Sequence, residues 1–229
     1  MRFAAVAPHG EIEGELAAAM EELGRRLPPD TTLVVVTPHN VHVEGHFAVA
    51  VSARVGEHAV DRDLALRIVE DARAAGLPVV GVSYGGNDPA EAELPLDWGT
   101  EVPLRYIPAE RIVVIAPARD LSLEDHIRLG EVIARDTSSQ ALIASADHGH
   151  AHDASGPYGF DPAAAEYDSL FQELVPSGDF RPLARLVEPA KADSLWQLLV
   201  LQGAIGDRRL ELLAYAAPTY YGMAVAIAT

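Results

Sequence analysis

The sequence predicts an α/β protein: a central mixed, mostly parallel sheet flanked by helices on both faces. Three observations predict it. Short, wholly apolar runs recur along the chain, amphipathic stretches of helical period separate them, and Pro-His or Asp-His pairs follow directly on three of the runs. Alternation of strand and helix implies parallel pairing between covered faces. Histidines just past the ends of such strands lie along the edge where open α/β sheets bind ligands.

Residues 2–7 form a buried strand, and residues 11–27 carry apolar side chains at helical spacing before Pro28-Pro29 stops them. Residues 33–36 are a second apolar strand, with residues 46–52 as an extra strand beside it. Residues 61–75 are an amphipathic helix closed by Gly76, and residues 78–83 the next strand. The Pro- and acid-containing stretch 84–104 reads as one long loop, a length that tends to be functional. Strand 112–115, helix 123–135 and strand 141–145 follow, the last delivering Asp147, His148, His150 and His152. Helices are expected over 161–174 and 189–203, and two closing antiparallel strands over 209–217 and 221–228.

With 229 residues, no low-complexity segment and no repeat, residues 1–229 are expected to be a single domain. The longest apolar runs are far short of a membrane span, and the N-terminus lacks the basic flank and apolar block of a signal peptide, so a soluble, cytoplasmic protein is expected. A net charge of −17 opposes binding to nucleic acid and to anionic membranes. With no cysteine, a metal can be held only by nitrogen and oxygen ligands, which favours iron, manganese or zinc.

His9 and His39 stand in Pro-His pairs at the ends of two apolar strands. Proline restrains its own φ and the residue before it, so both imidazoles leave their strands in a defined direction. Either alone reads as a turn cap; in matching contexts, beside a third strand ending in histidines, they read as a metal pair. Two histidines and one carboxylate with open positions suit non-haem iron(II). The carboxylate candidates are Asp147, Glu101, Glu188 and Asp193, the last placed in the first turn of the helix expected from Pro189. In the cluster, Gly149 lets the chain turn, so His148, His150 and His152 need not act together. A histidine that is not a ligand can serve as general acid or base. His152 reads as a bystander, His42, His46, His58 and His126 as solvated or satisfied core, and Trp196, Tyr220 and Tyr221 as core rather than substrate stackers.

Ala7-Pro8-His9-Gly10, Thr37-Pro38-His39-Asn40, the stretch Leu96-Asp97-Trp98-Gly99-Thr100-Glu101-Val102-Pro103-Leu104, Ser145-Ala146-Asp147-His148-Gly149-His150 and Gly159-Phe160-Asp161-Pro162 occur in that order. Together they resemble the class III (LigB-type) extradiol ring-cleavage dioxygenases over nearly the whole chain. The resemblance implies a catalytic subunit that holds Fe(II), with Zn or Mn as alternatives, and opens a small catecholic aromatic with O₂. It also implies a homo-oligomer, expected as a dimer. Carried over residue by residue, it places the first two metal ligands on His9 and His39 and the catalytic histidine on His150, with Asp147 as its acid. The third ligand, counted back from Gly203-Ala204, falls on Asp193, next to Ser194. Trp98 departs from the pattern, since many members have histidine there; His148 is the candidate to substitute. Asp193 is a second departure, one methylene shorter than the commoner glutamate. The superfamily also includes zinc-dependent relatives and members without oxygenase chemistry, so a metal-binding redox or interaction protein is the competing expectation.

Overall fold

The structure, a computed structural model, describes residues 1, 3–136 and 140–229; Arg2, at the start of the first expected strand, lies outside them. In chain order the elements are β1 (Phe3–Ala7), α1 (Gly14–Arg26), β2 (Thr32–Val36), β3 (Phe47–Ala50), β4 (Arg54–Val55), β5 (His58–Val60), α2 (Arg62–Ala74), β6 (Val79–Val82), β7 (Glu93–Leu94), α3 (Trp98–Leu104), β8 (Arg111–Ala116), α4 (Leu123–Arg135) and β9 (Gln140–Ser145). They continue with α5 (Pro162–Leu174), a 3-10 turn (Arg181–Arg185), α6 (Val187–Ala190), α7 (Leu195–Ile205), β10 (Leu210–Ala216) and β11 (Met223–Ala228).

One mixed sheet runs through the protein in the order β10-β11-β1-β9-β2-β8-β5-β4-β7, with β3 joined to β8 and β6 to β3. Its centre, β1-β9-β2-β8, is parallel, whereas β11 is antiparallel to both β1 and β10. Every residue of β1 and β9 is buried, which explains why these strands read as continuous apolar runs rather than alternating ones. The chain crosses from β1 to β2 in one direction along the sheet and from β8 to β9 in the other. Right-handed crossovers therefore put α1 and α4 on opposite faces.

Helix α7 is apolar nearly all round because it is enclosed, packed on β1, β9 and α4. The α4–α7 crossing is close enough that a Cβ on Gly130 would stand 1.9 Å from the Val200 carbonyl oxygen, so only glycine fits there. No described helix is long and apolar enough to cross a membrane.

The differences from the sequence expectation cluster around the future site. The stretch 84–104 is not one loop: it holds β7 and the helix α3, started by Asp97, whose side chain accepts from the Thr100 N–H. The helix expected over 189–203 is broken. Helix α6 ends at Ala190, Lys191 adopts φ 54° and ψ 33°, and α7 restarts at Leu195. Pro189 lies inside α6 rather than starting a long helix. Asp193 accordingly lies in the break and not in a helical first turn.

Candidate metal centre

Strands β1, β9 and β2 are neighbours and end together, with Ala7 opposite Ser145 and Val36 opposite Ala144. Their next residues, Pro8-His9, Ala146-Asp147 and Pro38-His39, converge on one edge. His9 is 4 % exposed. Its Nδ1 is 3.0 Å from Ser145 Oγ, and that hydroxyl donates its single hydrogen to the Gly99 carbonyl. Ser145 must then accept from His9, so when the ring is neutral its proton stays on Nδ1 and the lone pair is on Nε2, facing the site. Asp147 accepts the His9 backbone N–H at 3.0 Å and lines the same cavity.

His39 is held from the other side. Asp97 accepts from Thr37 Oγ1 and Asn40 Nδ2, both at 2.8 Å, and from the Thr100 N–H and hydroxyl at 3.0 and 2.9 Å. Thr37 in turn accepts the His39 N–H at 3.3 Å. One saturated carboxylate thus ties the turn after β2 to the start of α3. Trp98 lies over the His39 ring with centroids 4.1 Å apart, and a Cβ on Gly99 would meet Thr37 Oγ1 at 2.3 Å.

The two Nε2 atoms are 3.0 Å apart, and Asp193 Oδ2 is 3.6 Å from His9 Nε2 and 3.7 Å from His39 Nε2. A point equidistant from these three atoms is about 2.0 Å from each, the bond length of a first-row metal ion to imidazole and carboxylate. Asp193 Oδ1 is buried without a hydrogen-bond partner among the described residues. Burial disfavours charge on His9, yet Asp147 and Asp193 outweigh it and push its pKa up to about 9. Burial and the neighbouring His9 charge push His39 down to about 4. Two imidazoles and two carboxylates thus enclose a place that calls for positive charge, and the donor set fits a divalent ion. Among the described residues, His9, His39 and Asp193 form the one cluster with this spacing.

The remaining expected residues separate cleanly. His150 lines the cavity; its Nδ1 donates to the His148 carbonyl at 2.7 Å, so Nε2 carries the lone pair. Tyr221 supports it as a stacked ring, with centroids 5.5 Å apart. His148 points elsewhere: it is fully buried, tilted against Phe171 with ring centroids 4.0 Å apart, with Nδ1 3.1 Å from Ser194 Oγ, and does not line the cavity. Burial pushes its pKa down to about 4. His152 pairs with Asp168 at 2.8 Å, and Asp168 also accepts from Gly149 N–H and Tyr215, bracing the histidine loop. Glu101 binds Arg105 at 2.7 Å, and Glu188 lines the cavity outside the metal triangle. Trp196 and Tyr221 are buried, as core residues are, but each also presents an edge to the cavity.

Sequence reasoning assigned no role to Ser145, Asp97 or Ser194. The signals were present: a serine at the inner end of an apolar strand, an Asp-x-x-Thr helix start, and hydroxyl and amide side chains flanking His39. The cavity bordered by His9, His39, Asp193 and His150 has a volume of about 770 Å³, ample for a single-ring aromatic.

A crystal structure of an uncharacterized protein from Escherichia coli K12 superposes with a TM-score of 0.70 over 99 % of both chains at 17 % identity, which establishes the fold alone. No curated protein matches the chain. The family model for the catalytic LigB subunit of aromatic ring-opening dioxygenase matches residues 15–227, nearly the whole chain. The chain therefore belongs to the LigB family.

Proposed function

We propose that the protein is a non-haem Fe(II)-dependent extradiol dioxygenase that opens a catecholic ring and inserts both atoms of O₂ beside the diol. The observation that carries this reading is the triangle of His9 Nε2, His39 Nε2 and Asp193 Oδ2, open on one side to an aromatic-lined cavity. Iron(II) held by these three ligands supplies a centre at which a diol and O₂ can bind side by side. The protein's own residues do the rest. His150 Nε2, with its lone pair toward the cavity, takes a proton from a substrate hydroxyl and returns it as the ring opens. Asp147 fixes the His9 backbone and adds negative charge beside the imidazole. Tyr221 keeps the His150 ring in place, and Trp98 forms the wall over His39.

Trp98 favours a second reading. If the family's histidine at this position is needed for oxygen chemistry, the site is a metal centre without dioxygenase activity, filled by iron, manganese or zinc. Metal analysis after anaerobic purification, followed by oxygen uptake with catechol and substituted catechols, separates the two. The first reading expects iron and one O₂ consumed per diol, with a yellow ring-opened product. Zinc at full occupancy with no oxygen uptake across the panel would sink it.

A further inference from the structure

Asp168 on α5 is 1 % exposed, and its partners include no lysine or arginine. Taking a carboxylate out of water without such a counter-charge is costly, and an apolar residue of similar size would pack as well. Its Oδ1 accepts the Gly149 N–H at 2.8 Å, while Oδ2 meets Tyr215 Oη at 2.7 Å and His152 Nε2 at 2.8 Å. Burial and the carboxylate itself push the Tyr215 hydroxyl above the ordinary phenol range, so it remains a donor. The turn between β10 and β11 makes room for this charge, since a Cβ on Gly222 would stand 1.9 Å from Oδ2. Asp168 lies one helical turn beyond Ala164, whose backbone a Cβ on Gly149 would meet at 2.8 Å. Helix α5 is thus pressed against one peptide group, the one that joins His148 to Gly149.

That peptide is trans, so its N–H and its carbonyl point to opposite sides. On one side the N–H donates to Asp168 Oδ1; on the other the His148 carbonyl accepts from His150 Nδ1 at 2.7 Å. The neighbouring amides go to main-chain carbonyls, His148 N–H to Gly222 at 2.7 Å and His150 N–H to Ala190 at 2.8 Å. Linked hydrogen bonds polarise one another, each gaining about 10–30 % in strength. We propose that Asp168 is a positioning residue for His150, acting through the His148–Gly149 peptide: carboxylate, peptide and imidazole form one chain that holds the proton on Nδ1 and turns the Nε2 lone pair to the cavity. The proposal rests on the ring-opening reading above only for the proton that Nε2 takes up. When a substrate O–H bond breaks and the Nε2–H bond forms, Nδ1–H stays on the His148 carbonyl, whose strength as an acceptor the Asp168 charge maintains. Tyr215 and His152 anchor the second carboxylate oxygen, which keeps the first against the peptide.

The test reads the imidazole first and turnover second. In zinc-loaded, diamagnetic protein with isotope-labelled histidine nitrogens, NMR reports the tautomer of His150, whose signals are identified by their absence in His150→Gln. The wild-type neutral ring is expected as the Nδ1–H tautomer alone. Asp168→Asn fills the same space and keeps an oxygen for the Gly149 N–H but removes the charge, so the His150 Nδ1 resonance is expected to shift; Asp168→Ala is expected to give a mixture of tautomers. Metal content should be unchanged in both. In iron-loaded protein, kcat for a catechol that the wild type opens is expected to fall by up to about tenfold in Asp168→Asn and about ten- to hundredfold in Asp168→Ala, with KM little changed. If the alanine variant does not fold, the asparagine variant carries the test by itself. An unaltered His150 spectrum in Asp168→Asn overturns the proposal, as does a fall in kcat matched by a fall in metal content, which would make Asp168 a support for the fold alone. If the wild type opens no diol while Asp168→Asn still changes the His150 spectrum, the ring-opening reading fails and the positioning role stands.

Discussion

The three side chains of the metal triangle are supported in two different ways. His9 and His39 extend from parallel strands whose backbone ladders fix their directions, and each turn is locked by an adjacent acceptor, Ser145 for one and the Thr37–Asp97 pair for the other. Asp193 has no such ladder. It lies between α6 and α7, and the residue beside it is held by side chains: Ser194 Oγ is 2.9 Å from Tyr167 Oη and 3.1 Å from His148 Nδ1. The difference teaches that the two histidines are preset by topology, whereas the carboxylate depends on a buried polar chain reaching down to α5.

The largest effect tests the preset half. His9→Ala and His39→Ala each abolish stoichiometric metal binding, while Tyr167→Phe leaves an occupied site; metal retained in His39→Ala would show that the two strand ends do not share an ion. Next comes His150→Ala, which keeps its metal and loses about 10²–10⁴ in turnover, the usual contribution of a positioned proton acceptor. His148→Ala, lacking a place in the cavity, should cost less turnover than His150→Ala, and metal loss in the His150 variant would make that residue a ligand.

The two supports can then be weighed against each other. Asp97→Ala, which frees the His39 turn, lowers metal affinity by about ten- to hundredfold in competition with a chelator. Tyr167→Phe acts on Asp193 only through Ser194 and lowers it by up to about tenfold. A larger loss from Tyr167→Phe would reverse the ranking of ladder over side-chain support.

The smallest expected effect lies away from both. Burial lowers the pKa of His126, edge-on to Phe47 at 4.9 Å, below its ordinary value. Below about pH 6.5 the unfolded chain therefore takes up a proton that the native ring refuses, so this group subtracts stability as pH falls and is neutral above it. Urea midpoints of His126→Phe should fall less steeply than wild type between pH 7 and 5; parallel curves would show that the ring titrates normally.

Much of this was legible in the sequence. Apolar runs such as Leu33-Val34-Val35-Val36 give central strands because enclosure demands continuous hydrophobicity, and Pro-His after two of them points to the strand ends where the two Nε2 atoms lie 3.0 Å apart. Asp193 was one of four carboxylate candidates, and family resemblance rather than local pattern singled it out. The apolar run of α7 stops at Leu195, and Asp193-Ser194 ahead of it are residues of the kind that start helices, a local signal that the expectation of one helix from Pro189 passed over; tertiary contacts hold the break, with His150 N–H donating to the Ala190 carbonyl and Ser194 meeting Tyr167. Helix α3 was hidden because Gly99 and Pro103 are poor helix formers, and the clamp by Asp97 outweighs them. The cavity itself was not legible, since its wall is assembled from residues spread from His9 to Tyr221 that only the folded sheet brings together.

The position of β1 has a consequence for the order in which the protein comes into being. β1 pairs with β9 and β11 and not with β2, so the first strand made must wait for residues beyond Gln140, and for the last strand, before its edges are filled. His9 leaves the ribosome about 180 residues ahead of Asp193, a delay of roughly ten seconds or more at ordinary rates of synthesis. The site therefore closes only when almost the whole chain is out: all nine histidines precede Asp193, but until the sheet is complete nothing holds His9 and His39 side by side and the carboxylate corner is missing. Such long-range pairing makes folding slow, and in return it links assembly of the candidate metal centre to completion of the sheet.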